Sequence, residues 1–145
     1  MKIAIGSDHA GYILKEKIKE HLLKKGYEVL DVGTSDGAMS VDYPVYGEAA
    51  ARLVANDEAT YGVVCCGSAI GISIAANKVK GIRCGIGYND EVARLMREHN
   101  NANMIAFGER EMGVEDCLRR LDFFLATPFA GGRHARRIEE LDKIS

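Results

Sequence analysis

Short apolar, β-branched runs alternate along the chain with longer amphipathic stretches. The clearest run, YGVVCC at residues 61–66, has the continuous apolar character of a strand buried on both faces of a parallel sheet. Such alternation predicts βαβ units, in which a helix crosses over the sheet before the next parallel strand. We therefore expect an α/β fold: three layers, doubly wound and Rossmann-like, with a mainly parallel sheet of about five strands.

The period of the apolar residues and the breakers between them predict the elements. Strands are expected at residues 2–6, 27–31, 61–66, 82–86 and 103–107. Helices are expected at residues 12–25, 45–56, 70–78, 89–98, 114–126 and 134–144, the last being a C-terminal helix. No linker or repeat interrupts the series, which predicts one domain over residues 1–145.

Composition and spacing exclude several classes of function. The net charge of −2 argues against a nucleic-acid partner, because phosphate backbones attract basic surfaces. No apolar run approaches the roughly 18 residues of a membrane span, so we expect no membrane contact and a cytoplasmic protein. The cysteines and histidines lack ligand spacing, and the glycine-rich segments match no complete nucleotide motif. Neither a metal nor a cofactor is expected.

Two adjacent cysteines end the third predicted strand. Because side chains alternate along a strand, Cys65 is predicted to be a core residue and Cys66 to differ from it. After Cys66, the residues Gly67–Gly71 turn into a helix whose first amides have no internal partners. A helix N-terminus favours negative charge, so Cys66 could act as a thiolate beside amides that stabilise an oxyanion. The residues alone also allow a cysteine that merely ends the strand.

Two further groups carry positive charge. GGRHARR at residues 131–137 places arginines at a helix start, where Arg133 and Arg137 share a face and can bind a phosphate. The alternative is a solvated basic turn paired with Glu139 and Glu140. His99 ends another predicted helix, which suits a general acid but is equally common for a surface histidine.

In this order, these motifs resemble the ribose-5-phosphate isomerase B family, which also includes galactose-6-phosphate isomerase subunits. The resemblance covers nearly the whole chain. It rests on GSDHAG at 6–11, DYP at 42–44, CGS at 66–68, GISIAANK at 71–78, REHNNAN at 97–103, AFGER at 106–110 and GGRH at 131–134.

The resemblance implies a metal-independent aldose–ketose isomerase of the pentose phosphate pathway, acting on ribose 5-phosphate and ribulose 5-phosphate through an enediolate. Cys66 would be the base, Ser68 and Asn100 would help to stabilise the enediolate, and His99 and Asp8 would assist ring opening. The remaining residues implied to bind substrate are His9, Tyr43, Gly67, Ala69, Ile70, Gly71, Arg110, Arg133 and Arg137.

The turn after Cys66 departs from the usual CGTG of the family. Ser68 keeps the hydroxyl, whereas Ala69 adds a Cβ that would narrow the pocket floor, or cost roughly 1 kcal/mol of strain if this residue needs positive φ. Ile72 stands where another branch has a glutamate base, which leaves that role to Cys66. A hexose-6-phosphate isomerase of the allose or galactose series is the alternative, and a non-catalytic sugar-phosphate-binding protein is a third hypothesis.

The direction of the helices predicts the assembly. His99 and Asn100 end a helix that runs away from the sheet edge carrying Asp8 and Cys66. A helix of about ten residues spans about 15 Å, so His99 cannot turn back onto Cys66 of its own chain. If both serve one site, a neighbouring subunit supplies His99. We therefore expect a homodimer with shared sites, possibly a tetramer.

Overall fold

A computed structural model of the chain describes residues 1–144. Within that range, one parallel sheet is formed by Lys2–Ser7 (β1), Glu28–Asp31 (β2), Tyr61–Cys66 (β3), Cys84–Ile86 (β4) and Met104–Gly108 (β5). The helices are Tyr12–Lys24 (α1), Tyr43–Ala55 (α2), Ile70–Asn77 (α3), Asp90–Glu98 (α4), Val114–Ala126 (α5) and Arg133–Asp142 (α6). The expected α/β class is confirmed, and residue 145 of the predicted domain lies outside the described residues.

The strand order β2-β1-β3-β5-β4 determines where a ligand can enter. The chain moves from β1 outward to β2 on one side, and then crosses to β3 on the other side of β1. In open parallel sheets a crevice forms at such a switch point, outside the carboxyl ends of the strands. The register pairs Ser7 with Cys65 and Cys66 with Gly108, so the ends of β1, β3 and β5 meet at this edge.

Each face of the sheet carries its own apolar core. Ile5 and Cys65 belong to the core that includes side chains of α1, α4 and α5. Ala4 and Cys66 belong to the core under α2 and α3, on the other face. The three-layer arrangement and the alternation of the two cysteines are therefore as predicted.

Several boundaries differ from the sequence prediction by one or two residues. Helix α2 begins at Tyr43 rather than at residue 45, because Pro44 fits the first turn of a helix, where no amide donor is needed. Strand β4 begins at Cys84 rather than at residue 82. The amide of Arg83, which would belong to that strand, donates to the side-chain oxygen of Asn103 (2.9 Å) instead.

No helix within residues 1–144 combines the length and apolar character needed to cross a membrane.

Candidate active site

The loops that follow β1, β3 and β5 enclose a cavity of about 260 Å³ at the carboxyl edge of the sheet. Eight residues predicted from the sequence line it: Asp8, His9, Tyr43, Cys66, Gly67, Ser68, Gly71 and Arg110. Ala10 and Glu111 complete the lining and were not predicted. Glu111 follows Arg110 directly after β5, so its position in the predicted fold was the available signal.

Two glycines allow these loops to approach one another. A Cβ at Gly11 would collide with the carbonyl group of Cys65, and one at Gly108 would lie 2.6 Å from the carbonyl carbon of Ser68. Because neither position has room for a side chain, the loop after β1 and the turn after β3 pack directly against backbone. The walls of the cavity are thus set by main-chain contacts.

Cys66 is the last residue of β3, and its thiol belongs to the cavity. Its carbonyl oxygen accepts a hydrogen bond from the amide of Glu109 (2.9 Å), and that of Gly67 accepts one from Arg110 (3.1 Å). The chain leaving β5 therefore holds the backbone around Cys66 on one side. Cys65 lies in the opposite core, where burial raises the pKa of its thiol well above the ordinary value. Only one of the two thiols is placed for chemistry.

Hydrogen-bond donors surround the first turn of α3. The hydroxyl oxygen of Ser68 accepts a hydrogen bond from the amide of Ile70 (3.2 Å), which leaves the hydroxyl proton free to donate. Within residues 1–144, the amides of Gly71 and Ile72 donate to no acceptor. This turn therefore offers a hydroxyl and a helix N-terminus to negative charge beside Cys66.

Ala69 adopts the left-handed conformation, with φ of 77°, and is completely buried in the core beneath α2 and α3. Its methyl group does not line the cavity. Of the two effects expected for this alanine, the structure therefore supports backbone strain and not a narrowed pocket floor. Ile70, also predicted to touch substrate, is more than half exposed outside the cavity lining.

The loop after β1 presents Asp8 and His9. Asp8 is buried, and its Oδ1 accepts a hydrogen bond from the amide of Gly11 (3.0 Å), which closes the short 3₁₀ turn at His9–Gly11. The Nδ1 atom of His9 accepts a hydrogen bond from the amide of Val41 (3.1 Å). This contact assigns the proton of the neutral ring to Nε2, so His9 can donate to a ligand oxygen.

The predicted residues His99, Asn100, Arg133 and Arg137 lie outside this cavity. The amide of Gly62, near the start of β3, donates to the carbonyl oxygen of Asn103 (3.0 Å). The turn after α4 therefore lies beside the start of β3, whereas Cys66 ends that strand about 13 Å further along. The structure thus places His99 and Cys66 at opposite edges of the sheet, as the helix direction predicts.

A positively charged cluster forms at that opposite edge. The rings of His99 and His134 stack with centroids 4.3 Å apart and an interplanar angle of 16°. The pKa of His134 is lowered by desolvation and by the nearby His99, Arg133 and Arg137. The sequence contained His134 in the GGRHARR motif, but no spacing rule linked it to His99.

The arginines of α6 are not neutralised as the solvated-turn alternative requires. Arg136 lies 4.0 Å from Glu140, and this is the ion pair that α6 forms with its own carboxylates within residues 1–144. Arg133 and Arg137 are exposed and form no ion pair in the described part of the chain. Their charge is therefore free for an anion from outside this chain.

Asn100 lines a second, larger cavity of about 780 Å³ beside the edge strand β4, together with Arg83, Leu141 and Asp142. The smaller cavity, in contrast, is lined by Cys66, by Ser68 and by Gly71, whose amide has no acceptor within residues 1–144. No cluster of three or more possible metal ligands occurs among residues 1–144.

Comparison with known proteins identifies the family. A family model described as ribose/galactose isomerase matches residues 3–141. The chain belongs to this family. Ribose-5-phosphate isomerase B of Escherichia coli is a 43% identical member, over 99% of this chain and 95% of its own length.

Solved structures of family members have the same fold. Ribose-5-phosphate isomerase B of Clostridium thermocellum is 50% identical, with a TM-score of 0.97 over 99% of this chain and 97% of the other. Ribose-5-phosphate isomerase B of Mycoplasma genitalium, solved with bound ribulose 5-phosphate, is 36% identical, with a TM-score of 0.93 over 98% of this chain and 94% of the other. The likeness therefore extends through the whole ribose/galactose isomerase domain of these relatives.

Proposed function

We propose that this chain interconverts ribose 5-phosphate and ribulose 5-phosphate as a metal-independent aldose–ketose isomerase. The observation that carries the proposal is the single cavity lined by Cys66, by Ser68 with its hydroxyl, and by Gly71, whose amide has no acceptor within residues 1–144. A carbon acid needs a base together with donors for the oxyanion that forms, and this cavity offers both. Family membership supplies the substrate class.

The proposed reaction moves one proton between neighbouring carbons. The thiolate of Cys66 removes the proton from C2 of the open-chain aldose, and the electron pair forms the C1–C2 double bond while O1 becomes negative. A proton then passes from O2 to O1, and Cys66 returns its proton to C1 to give the ketose. The hydroxyl of Ser68 and the amides at the start of α3 stabilise the charged oxygen during this transfer.

Asp8 and His9 bind sugar oxygens in this proposal, because they enter the same cavity from the loop after β1. Arg110 faces the cavity above Gly67, where a Cβ would lie only 2.8 Å from its guanidinium. Tyr43 packs against Gly71 and closes the side of the cavity. These groups recognise the reacting end of the sugar but leave a phosphate dianion with little positive charge.

We infer that a second copy of the chain completes the site. Its His99 would assist ring opening, its Asn100 would bind the enediolate, and Arg133 and Arg137 would bind phosphate. Exposed apolar side chains on α2 and α3 support a surface that a second copy covers, since Val45, Ile70 and Ile74 are each more than half exposed. A two-fold dimer would form two such shared sites, and two dimers could form a tetramer.

We also propose a cytoplasmic location and a place in the pentose phosphate pathway, where this reaction belongs. All four cysteines are free in the described chain, which supports a reducing compartment.

An assay with two substrates tests the proposed function. Purified protein is given ribose 5-phosphate or allose 6-phosphate, and ketose formation is followed with a coupled enzyme. We expect the higher kcat/KM for ribose 5-phosphate and no effect of a chelator. Preference for allose 6-phosphate would make the chain a hexose-6-phosphate isomerase, and activity on neither substrate would reject the proposal.

A further inference from the structure

Arg83 joins two elements that carry predicted site residues. It lies directly before β4, and its Nε donates to the carbonyl oxygens of Asn100 (3.0 Å) and Asn101 (3.1 Å). Its Nη1 donates to Oδ1 of Asp142 (2.8 Å), the last residue of α6. One guanidinium thus links the turn after α4 to the far end of α6.

The turn after α4 depends on such polar contacts. Asn101 has a φ of 47°, in the left-handed region that asparagine adopts more readily than most residues with a side chain. Asn100 borders the cavity of about 780 Å³, so that side of the turn lacks packed side chains. The carbonyl groups of Asn100 and Asn101, which follow helix α4, accept hydrogen bonds from Arg83 and from no backbone amide within residues 1–144.

Arg97 holds the same turn from the protein interior. Its Nη1 donates to Oδ1 of Asn101 (2.8 Å) and to the carbonyl oxygen of Ala102 (2.8 Å). Arg97 is buried, and its other contacts are with the carbonyl oxygen of Thr127 at the end of α5 and with the ring of Tyr61 in β3, so none of them reaches α6. Arg83 is therefore the arginine that connects the turn to α6.

The position of Asp142 supports this connection. A carboxylate at the C-terminal end of a helix opposes the helix dipole, so Asp142 does not stabilise α6 by itself. Its ion pair with Arg83 instead joins the end of α6 to the segment that precedes β4. The same helix carries Arg133, His134 and Arg137 at its other end, and His134 stacks on His99. Helix α6 is thus linked to the turn after α4 at both ends, directly through His134 on His99 and indirectly through Asp142 and Arg83.

We propose that Arg83 is a positioning residue that fixes the turn bearing His99 and Asn100 against helix α6. Through Asp142 it sets the spacing between the groups that act on the sugar and the arginines that bind phosphate. This proposal rests on the proposed function, because it assumes that both groups reach one sugar phosphate.

Two variants separate the link from Arg83 to the turn and the link from Arg83 to α6. Asp142→Ala removes the link to α6 but leaves Arg83 on the carbonyl groups of the turn. We expect KM for ribose 5-phosphate to rise about two- to fivefold, the scale of an exposed ion pair, with kcat unchanged. Arg83→Met removes both links, and we expect kcat to fall about 10- to 100-fold in addition, because a displacement of about 1 Å has effects of that size.

Arg119→Met is the matched control. Arg119 forms an equally direct pair with Asp90, at 3.0 Å to each carboxylate oxygen, between α5 and α4. We expect this variant to keep both kinetic constants. Thermal unfolding of all three proteins shows whether each is folded, and Asp142 is exposed enough for its alanine variant to fold if Arg83→Met does not.

Hydrogen exchange of the amides at residues 100–102 gives a readout that needs no substrate. We expect faster exchange there in Arg83→Met than in the parent and in Arg119→Met. Unchanged exchange, unchanged kinetics in both Arg83→Met and Asp142→Ala, or an equal kinetic loss in Arg119→Met would each overturn the proposal. A parent protein that is inactive on the sugar phosphates rejects the proposed function instead, and the exchange measurement still decides whether Arg83 holds the turn.

Discussion

The two edges of the sheet are built in different ways. At the carboxyl edge, the ends of β1, β3 and β5 meet in buried backbone contacts, and Cys66 and Ser68 line an open cavity. At the opposite edge, His99 is partly buried against the ring of His134, and Arg133 and Arg137 of α6 are exposed. The first edge thus has a cavity whose walls are set by backbone packing. The second offers exposed positive charge on Arg133 and Arg137, which is the form that half of a shared site would take.

The largest effect should come from the thiol at the carboxyl edge. We expect Cys66→Ala to lower the chemical step by about 10²- to 10⁴-fold while substrate affinity stays close to that of the parent. Cys65→Ala, one residue away on the other face, should lose about 1–3 kcal/mol of stability and keep its turnover. Single-turnover kinetics and denaturant unfolding measure the two effects. Equal loss of activity in both variants would contradict the division between the thiols.

Mixing two inactive variants tests whether the edges belong to one site. Cys66→Ala and His99→Ala proteins are combined under conditions in which subunits exchange. Random mixing makes half of the dimers hybrid, and each hybrid has one intact site, so activity should recover to roughly a quarter of the parent value. No recovery, with exchange shown by native mass spectrometry, would mean that the site lies within one chain or that His99 has no part in it.

A smaller effect is expected from the arginines of the second edge. Arg133→Ala and Arg137→Ala should each weaken binding of ribose 5-phosphate by about 1.5–3 kcal/mol, the range of a hydrogen bond to a charged group. Arg136→Ala is the control, because Arg136 lies beside Glu140 on the same helix. Calorimetric titration of each variant gives the affinities. Unchanged affinity in both test variants would remove phosphate binding from this edge.

The smallest effect concerns the turn after Cys66. Ala69→Gly relieves about 1 kcal/mol of left-handed strain, but it removes a buried methyl group worth about 0.8 kcal/mol and adds freedom to the unfolded chain. We expect stability to change by less than about 1 kcal/mol and kcat/KM to stay within about twofold, because the methyl group lies outside the cavity lining. A clear shift in preference between ribose 5-phosphate and allose 6-phosphate would restore the pocket-floor interpretation.

The sequence predicted the carboxyl edge, which backbone packing defines, better than the opposite edge, where side chains from distant parts of the chain meet. The period of the apolar residues placed Cys65 and Cys66 on opposite faces, and the end of the third strand placed Cys66 and the turn after it at the edge where the cavity lies. Those features depend on alternation and topology, which are local or follow from few rules. The stack of His99 on His134 joins residues 35 positions apart through the packing of α6, and no periodic pattern records such a contact.

The pattern of apolar residues also placed the start of β4 two residues too early. Ile82 continues the apolar run and so was assigned to the strand, but Asn103 binds the amide of Arg83 with its side chain. Hydrophobicity does not show where a side-chain oxygen takes the place of the backbone carbonyl that would accept a strand's hydrogen bond. Hydrophobicity also does not predict the positive φ of Ala69, which depends on how the turn after Cys66 is packed.

The hydrogen bond from Val41 to His9 has a further consequence for affinity. Residues 33–42 form no helix or strand, yet this contact and the carbonyl of Thr34, which accepts a hydrogen bond from the buried Lys15, tie both ends of the segment down. The ring of His9 is therefore already oriented in the unliganded chain. Conformational entropy that a mobile loop would lose when sugar binds has been lost during folding, so each contact with His9 contributes more fully to the free energy of association.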